Sequence, residues 1–258
     1  MIKLNGEQVP ITVFPDGTHQ VWKLTDPQIE YIRTSKEIEV LWEFQSQAEV
    51  FDIMQLLGLL IDRPHYDRDQ LLVLNCPYLP YARQDKGISN SSCFALTTLT
   101  CSLLTSFDII RVVDVHNPLF FEDCFMFSIE NTFPIDVINS IVSKENVDLI
   151  VFPDEGAMKR YQGFVPSGIN FISAQKSRDQ LTGAILGITI DSKTVNKASS
   201  VLVWDDICDG GGTFVGLASL IKVPKLMLYV SHGIFSKGAA CLFSAGYNKL
   251  FTRKGQVQ

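Results

Sequence analysis

A chain of 258 residues with 46% hydrophobic side chains has apolar material for one large domain or two ordinary α/β lobes, which excludes a disordered chain. Its formal charge of -6 and pI of about 5.2 leave no basic surface for a phosphate backbone, so nucleic acid is not an expected partner. No stretch approaches the roughly eighteen uninterrupted apolar residues of a membrane span, and Met1 to Gly6 lack the apolar core of a secretory signal, so a cytoplasmic protein without membrane contact is expected.

In chain order, short apolar runs rich in β-branched residues predict strands at Val9 to Phe14, Ile38 to Phe44, Gln70 to Leu74, Ile109 to Val115, Leu149 to Phe152, Ser200 to Trp204 and Lys225 to Val230. Helical spacing of apolar residues predicts helices at Gln47 to Ile61, Cys93 to Ser106, Ile135 to Ser143 and Thr213 to Ile221. This alternation implies an α/β fold of βα units with buried, mostly parallel strands, in two similar lobes, 1–134 and 135–258. Six scattered cysteines without a CxxC pair argue against zinc knuckles and disulfides and predict reduced packing residues.

In open parallel sheets ligands bind beyond the carboxyl ends of strands, and each polar cluster follows a predicted strand. The sharpest is Val201 to Thr213: a strand, the acids Asp205, Asp206 and Asp209, the glycines Gly210, Gly211 and Gly212, then Thr213 at a helix start. Glycines let the backbone approach an anion, successive N–H groups form a nest, and the helix N-terminus adds partial positive charge. Thr213 is expected to cap the helix and donate to phosphate. Asp205 and Asp206, repelling phosphate, suit ribose hydroxyls or hydrated magnesium.

The cluster Cys76 to Lys86 offers Arg83 as a planar fork for phosphate and Gln84 as donor and acceptor for an adenine edge; taken alone it is equally a solvated turn. In Val112 to Pro118, His116 lies just past a strand, a place for either a core histidine or a group near a metal-bound triphosphate.

Three of these motifs in register, Tyr81-Ala82-Arg83-Gln84-Asp85-Lys86, Asp114-Val115-His116 and the Asp205 to Thr213 loop, resemble the phosphoribosyl diphosphate synthetases, with a type I phosphoribosyltransferase fold in each lobe. Further similarity lies in Phe14-Pro15-Asp16-Gly17, Pro153-Asp154-Glu155-Gly156-Ala157, Lys176-Ser177-Arg178 and Ser231-His232-Gly233-Ile234-Phe235, so it spans roughly residues 10 to 245. The resemblance implies attack of the anomeric hydroxyl of ribose 5-phosphate on the β-phosphorus of ATP, with release of AMP.

By that resemblance, Phe14 stacks on adenine and Asp16 accepts from its amino group, while Arg83, Gln84, Asp85 and His116 bind ATP. His116 and Asp154 hold Mg²⁺, and Asp154 also serves the sugar. Asp205 and Asp206 cradle the sugar, and Asp209, Gly210, Gly211, Gly212 and Thr213 bind its phosphate. Lys176 and Arg178 act with His116 in catalysis, from a mobile loop. The adenine loop comes from a neighbouring subunit, so a homo-oligomer, dimer or higher, is implied.

Three departures stand out. Gly210 replaces a family Thr, which removes a hydroxyl and is expected to open room beside the phosphate; Gly87 to Cys93 lack basic residues common there; and the chain ends soon after Phe251, without the family's final strand and helix. Compact, phage-type relatives act on ADP-ribose in NAD⁺ resynthesis, which makes ADP-ribose an alternative acceptor. A phosphoribosyltransferase shares only the Asp205 to Thr213 loop, and a non-catalytic synthetase-associated subunit is expected to lose the Lys176 and Arg178 cations; both remain as further alternatives.

Overall fold

The computed structural model describes residues 1–61, 69–85, 93–121, 127–178 and 185–257, with 176–178 and 185–186 described by their backbone. Lys86, the following stretch to Ser92, and Cys124 lie outside the described residues. The chain divides into two compact units, Met1–Thr132 and Phe133–Gln258.

In the first unit, β1 (Ile2–Leu4) and β2 (Glu7–Gln8) form an edge hairpin, and β3 (Ile11–Val13) and β4 (His19–Val21) a separate antiparallel pair. Then come α1 (Asp26–Thr34), β5 (Glu37–Trp42), α2 (Ala48–Ile61), β6 (Leu71–Asn75), α3 (Ala95–Ser102), β7 (Ile109–Val113) and β8 (Ser128–Thr132). The sheet order is β2-β1-β5-β6-β7-β8, parallel from β5 to β8. Val9 to Phe14, expected as a sheet strand, instead enters the small hairpin, because Pro15-Asp16-Gly17 turns the chain straight back. Helix α1 was not expected; a capping box in which Thr25 accepts from the Gln28 N–H and Gln28 reaches back to the Thr25 N–H starts it.

The second unit runs α4 (Ile135–Glu145), β9 (Leu149–Phe152), α5 (Glu155–Tyr161), β10 (Asn170–Ser173), β11 (Gln175–Arg178), β12 (Ile185–Thr189), α6 (Ser192–Val195), β13 (Ser200–Cys208), α7 (Gly212–Leu220), β14 (Lys225–Gly233), α8 (Ala240–Ala245), β15 (Lys249–Thr252) and β16 (Gly255–Gln256). Its sheet order is β10-β9-β13-β14-β15-β16, with only β16 antiparallel to its neighbour.

Both faces of this sheet are covered, which is why its central strands read as unbroken apolar runs. Val201 and Val203 enter one core cluster with Leu217 and Leu228, while Leu202 and Trp204 enter the other with Phe152 and Tyr161. Parallel pairing carries β13 past the expected Trp204 as far as Cys208, so Asp205 and Asp206 lie inside the strand. Among the described residues the five cysteines form no disulfide; Cys76 and Cys208 are buried and Cys241 is half-buried, whereas Cys93 and Cys101 are exposed, against the expectation of packing residues, because they lie on and just before the outer face of α3.

Candidate active site

Strand β7 ends where Asp114 turns left-handed, with φ 47, and is itself buried. Its N–H donates to the Thr132 carbonyl at 2.9 Å, and the Val115 N–H to Asn131 Oδ1 at 3.0 Å, which fixes the exit of the chain toward His116 and Asn117. The segment after β6 runs alongside, since the Cys76 N–H donates to the Arg111 carbonyl and the Val113 N–H to that of Pro77. A second left-handed residue, Tyr81 (φ 64), closes the turn that presents Arg83 and Gln84 to solvent. Asn117 Nδ2 donates to Asp85 Oδ2 at 2.6 Å, so the two clusters are joined by a residue that motif reasoning passed over.

Phe14 and Asp16 form the tip of the β3–β4 hairpin. Phe14 is half-buried, its N–H bonded to the Thr18 carbonyl, while Asp16 is exposed and takes the Thr18 N–H and hydroxyl on one oxygen, at 3.0 and 2.7 Å. Those two donors hold the Asp16 carboxyl below the usual range for aspartate. The hairpin is tied to α2: His19 Nδ1 meets the Asp52 carboxylate, and the Gln55 amide brackets the hairpin backbone by donating to the His19 carbonyl and accepting from the Val21 N–H.

In the second unit Asp154 caps α5, accepting from the Ala157 N–H at 3.0 Å. At the other end of that helix Arg160 Nη1 stands 3.3 Å from Asp206 Oδ2, and the Tyr161 ring stacks on Trp204 at 4.7 Å and 19°. Alternation along β13 puts Trp204 and Asp206 on one face, which explains why adjacent helix residues meet both. Asp205 accepts from the Asp206 N–H at 2.9 Å. Burial first, then the charge and the side-chain hydrogen bond of Asp206, with Asp154 adding, push the Asp205 carboxyl well above the ordinary carboxylate range, against the lowering effect of that N–H.

The glycine turn follows. Gly211, at φ 76, is the residue before α7, and a Cβ there would press on Leu242 at 3.3 Å and Cys241 at 3.6 Å. Thr213 is not the cap: the left-handed Gly211 lets the helix start at Gly212, which puts Thr213 in its first turn. The space beside Gly210 is lined by Lys237, whose side chain a Cβ there would meet in ordinary van der Waals contact at 3.6 Å. Asp209 is exposed at the rim. The Cys208 thiol is pushed up to about 12, chiefly by burial, which makes it no nucleophile.

Lys176 and Arg178 were expected in a loop; their backbone lies instead in the β11–β12 ribbon, Lys176 opposite Ile188 and Arg178 opposite Ile185, while 179–184 fall outside the described residues. The ribbon rests on α7: a Cβ on Gly216 would come within 2.8 Å of Ile188 Cδ1, so the missing side chain lets the ribbon seat.

A strand-embedded acid pair thus runs into a glycine turn at a helix start, at the carboxyl end of a parallel α/β sheet. No family model matches the chain. The ribose-phosphate pyrophosphokinase of Mycoplasmopsis pulmonis is 30% identical over 254 residues, covering 92% of this chain and 73% of that protein. Enzymes of the same name from Pyrococcus furiosus and Pyrococcus abyssi are 28% and 27% identical, covering 95% and 94% of this chain and 86% and 82% of theirs. Among solved structures, the phosphoribosylpyrophosphate synthetase from Mycobacterium smegmatis matches with a TM-score of 0.75 at 19% identity, over 94% of this chain and 78% of that one, a likeness of fold. The chain belongs to the ribose-phosphate pyrophosphokinase family, a family of transferases.

Proposed function

We propose that the chain transfers the β,γ-diphosphoryl group of ATP to the anomeric hydroxyl of ribose 5-phosphate, releasing AMP. The observation that carries this is the acid pair of β13 running into the Gly210–Gly212 turn, in a chain of this family. Asp205 and Asp206 accept from the sugar hydroxyls, and Asp209 to Thr213 supply backbone donors to the 5-phosphate. Arg83, Gln84, Asp85 and His116 hold the triphosphate and adenine of ATP, and Phe14 and Asp16 the base. Lys176 and Arg178 supply positive charge to the group in flight, which is the main demand of phosphoryl transfer.

Mg²⁺ fits this donor set. Among the described residues no three His, Cys, Asp or Glu side chains form a metal cage, yet Mg²⁺ arriving with nucleotide phosphates needs only one or two protein ligands, and His116 of the first unit and Asp154 of the second are each a candidate for such a ligand. Bound there, it would neutralise charge on the phosphate oxygens. The exposed hairpin tip carrying Phe14 and Asp16 supports its presentation to a neighbouring copy, hence a homo-oligomer. Among the described residues no helix is long and apolar enough to cross a membrane, and a cytoplasmic site of action goes with the proposal.

ADP-ribose is the less favoured acceptor, since the relatives of this chain are ribose-phosphate pyrophosphokinases. The test is incubation of the protein with ATP and Mg²⁺ plus ribose 5-phosphate or ADP-ribose, with AMP as readout. AMP with ribose 5-phosphate is expected; its formation with ADP-ribose alone, or with neither, refutes the proposal.

A further inference from the structure

The turn that follows β14 is pinned beside the phosphate loop by its own backbone. Ile234 and Phe235 both donate to the Cys208 carbonyl, at 2.8 and 3.1 Å, and Gly238 closes the turn on the Phe235 carbonyl at 2.7 Å. Phe235 takes the left-handed φ of 50, and its ring packs so closely on Gly233 that any Cβ there would collide with it. The next two residues are thereby carried over Gly210. A Cβ on Gly210 would find Lys237 Cε at 3.6 Å, Lys237 Cδ at 3.7 Å and Ser236 Oγ at 3.9 Å. Among the described residues the Lys237 ammonium has neither an ion-pair nor a hydrogen-bond partner, and the side chain is exposed.

We propose that Lys237 is a specificity-determining residue for the acceptor, its methylenes filling the space over Gly210 and its ammonium binding the acceptor's terminal phosphate monoester. This rests on the reading of Asp209 to Thr213 as the phosphate loop. The chemistry favours a monoester. A terminal phosphate carries close to two charges near neutral pH and gains more from a charged donor than from a neutral hydroxyl, whereas each phosphorus of a diphosphate diester carries one. A flexible ammonium stem serves as a point charge for phosphate without demanding a fixed fork geometry. In a chain with a formal charge of -6, an unpaired cation beside an anion nest is a local reversal of sign. Gly210 and Lys237 then act together, the glycine making the space that the lysine stem occupies.

The test compares the whole enzyme with Lys237→Met, which keeps the apolar stem and removes the charge. Loss of a charge-assisted contact predicts a KM for ribose 5-phosphate raised about tenfold, with kcat and the KM for ATP little changed. High salt narrows the gap by weakening the wild type. Gly210→Thr added to Lys237→Met recovers part of the loss by restoring a hydroxyl. Direct titration with inorganic phosphate, which needs no turnover, is expected to show weaker binding to Lys237→Met. An unchanged phosphate affinity in the folded variant overturns the proposal, as does an unchanged KM for ribose 5-phosphate. A wild-type protein that makes no AMP from ribose 5-phosphate refutes the proposed reaction instead, and phosphate titration still decides the role of Lys237.

Discussion

The guanidinium of Arg160 stands 3.3 Å from the carboxylate of Asp206, with both side chains largely withdrawn from water. The pair links the last turn of α5 to the strand that carries the acids proposed to bind the sugar, and the same helix is capped at its start by Asp154. Removing one partner of such a pair takes a compensating charge away from a buried ion. Arg160→Gln is therefore expected to cost about 3 kcal/mol of stability, and Arg160→Gln with Asp206→Asn to recover most of it. Urea melts of the two single variants and the double variant check this; additive losses would falsify the coupling.

Asp205 gives stability a pH dependence of definite sign. Its carboxyl is raised in the folded chain, so between the ordinary value near 4 and the raised one the folded state keeps a proton that the unfolded state has lost. The contribution is complete below about pH 4 and is lost as pH climbs through the raised value. Asp205→Asn removes the titration. The variant should be the more stable at neutral pH, with the advantage shrinking toward pH 4, as read from denaturation midpoints across that range. A difference constant with pH contradicts the assignment.

Asn117 donates to Asp85 at 2.6 Å and so couples the Arg83 turn to the exit of β7. Asn117→Ala should raise the KM for ATP while leaving that for ribose 5-phosphate unchanged, because Asp85 belongs to the proposed nucleotide set and Asn117 holds it in place. Steady-state kinetics with each substrate varied distinguishes this from a general loss of folding, which would lower active enzyme without moving either KM.

The ribbon bearing Lys176 and Arg178 is seated on α7 through Ile188 against Gly216. Gly216→Ala meets only the flexible end of Ile188 and should be mild, whereas Gly216→Val should displace the ribbon and lower kcat. Lys176→Ala should lower kcat by about a hundredfold or more, as loss of a charge-stabilising group does, with both KM values retained. A Lys176→Ala enzyme with full turnover and weakened ATP binding would place the lysine in the ground state instead.

The parts of the fold that could be read directly are those with a single determinant. Leu149–Phe152 is buried on both sides and apolar throughout, and α2 follows its apolar spacing. The β8 strand, Ser-Ile-Glu-Asn-Thr, was not legible because polar residues alternate on its outer side and its place is set by pairing with β7. The β13 acids escaped a strand assignment for the same reason: register with β14, not side-chain type, extends the strand through them. Helix α1 did carry a signal, the Thr25 capping box, which apolar periodicity does not register. At the site, glycines and acids in fixed order were legible. Arg160, Asn117 and Lys237 were not, because each gains its meaning from a partner 46, 32 or 27 residues away.

The stacking of Tyr161 on Trp204 gives the second unit an optical signature. Trp204 is 2% exposed and lies two residues before Asp206, whereas Trp22 is 65% exposed. A water-soluble quencher therefore extinguishes Trp22 first and leaves a blue-shifted emission from two buried indoles, Trp204 and the first unit's Trp42, of which a Trp42→Phe variant isolates Trp204. A ligand that reorganises the acid pair is expected to shift the Trp204 part of that residual light, so occupancy of the proposed sugar site can be followed in the unlabelled protein by fluorescence.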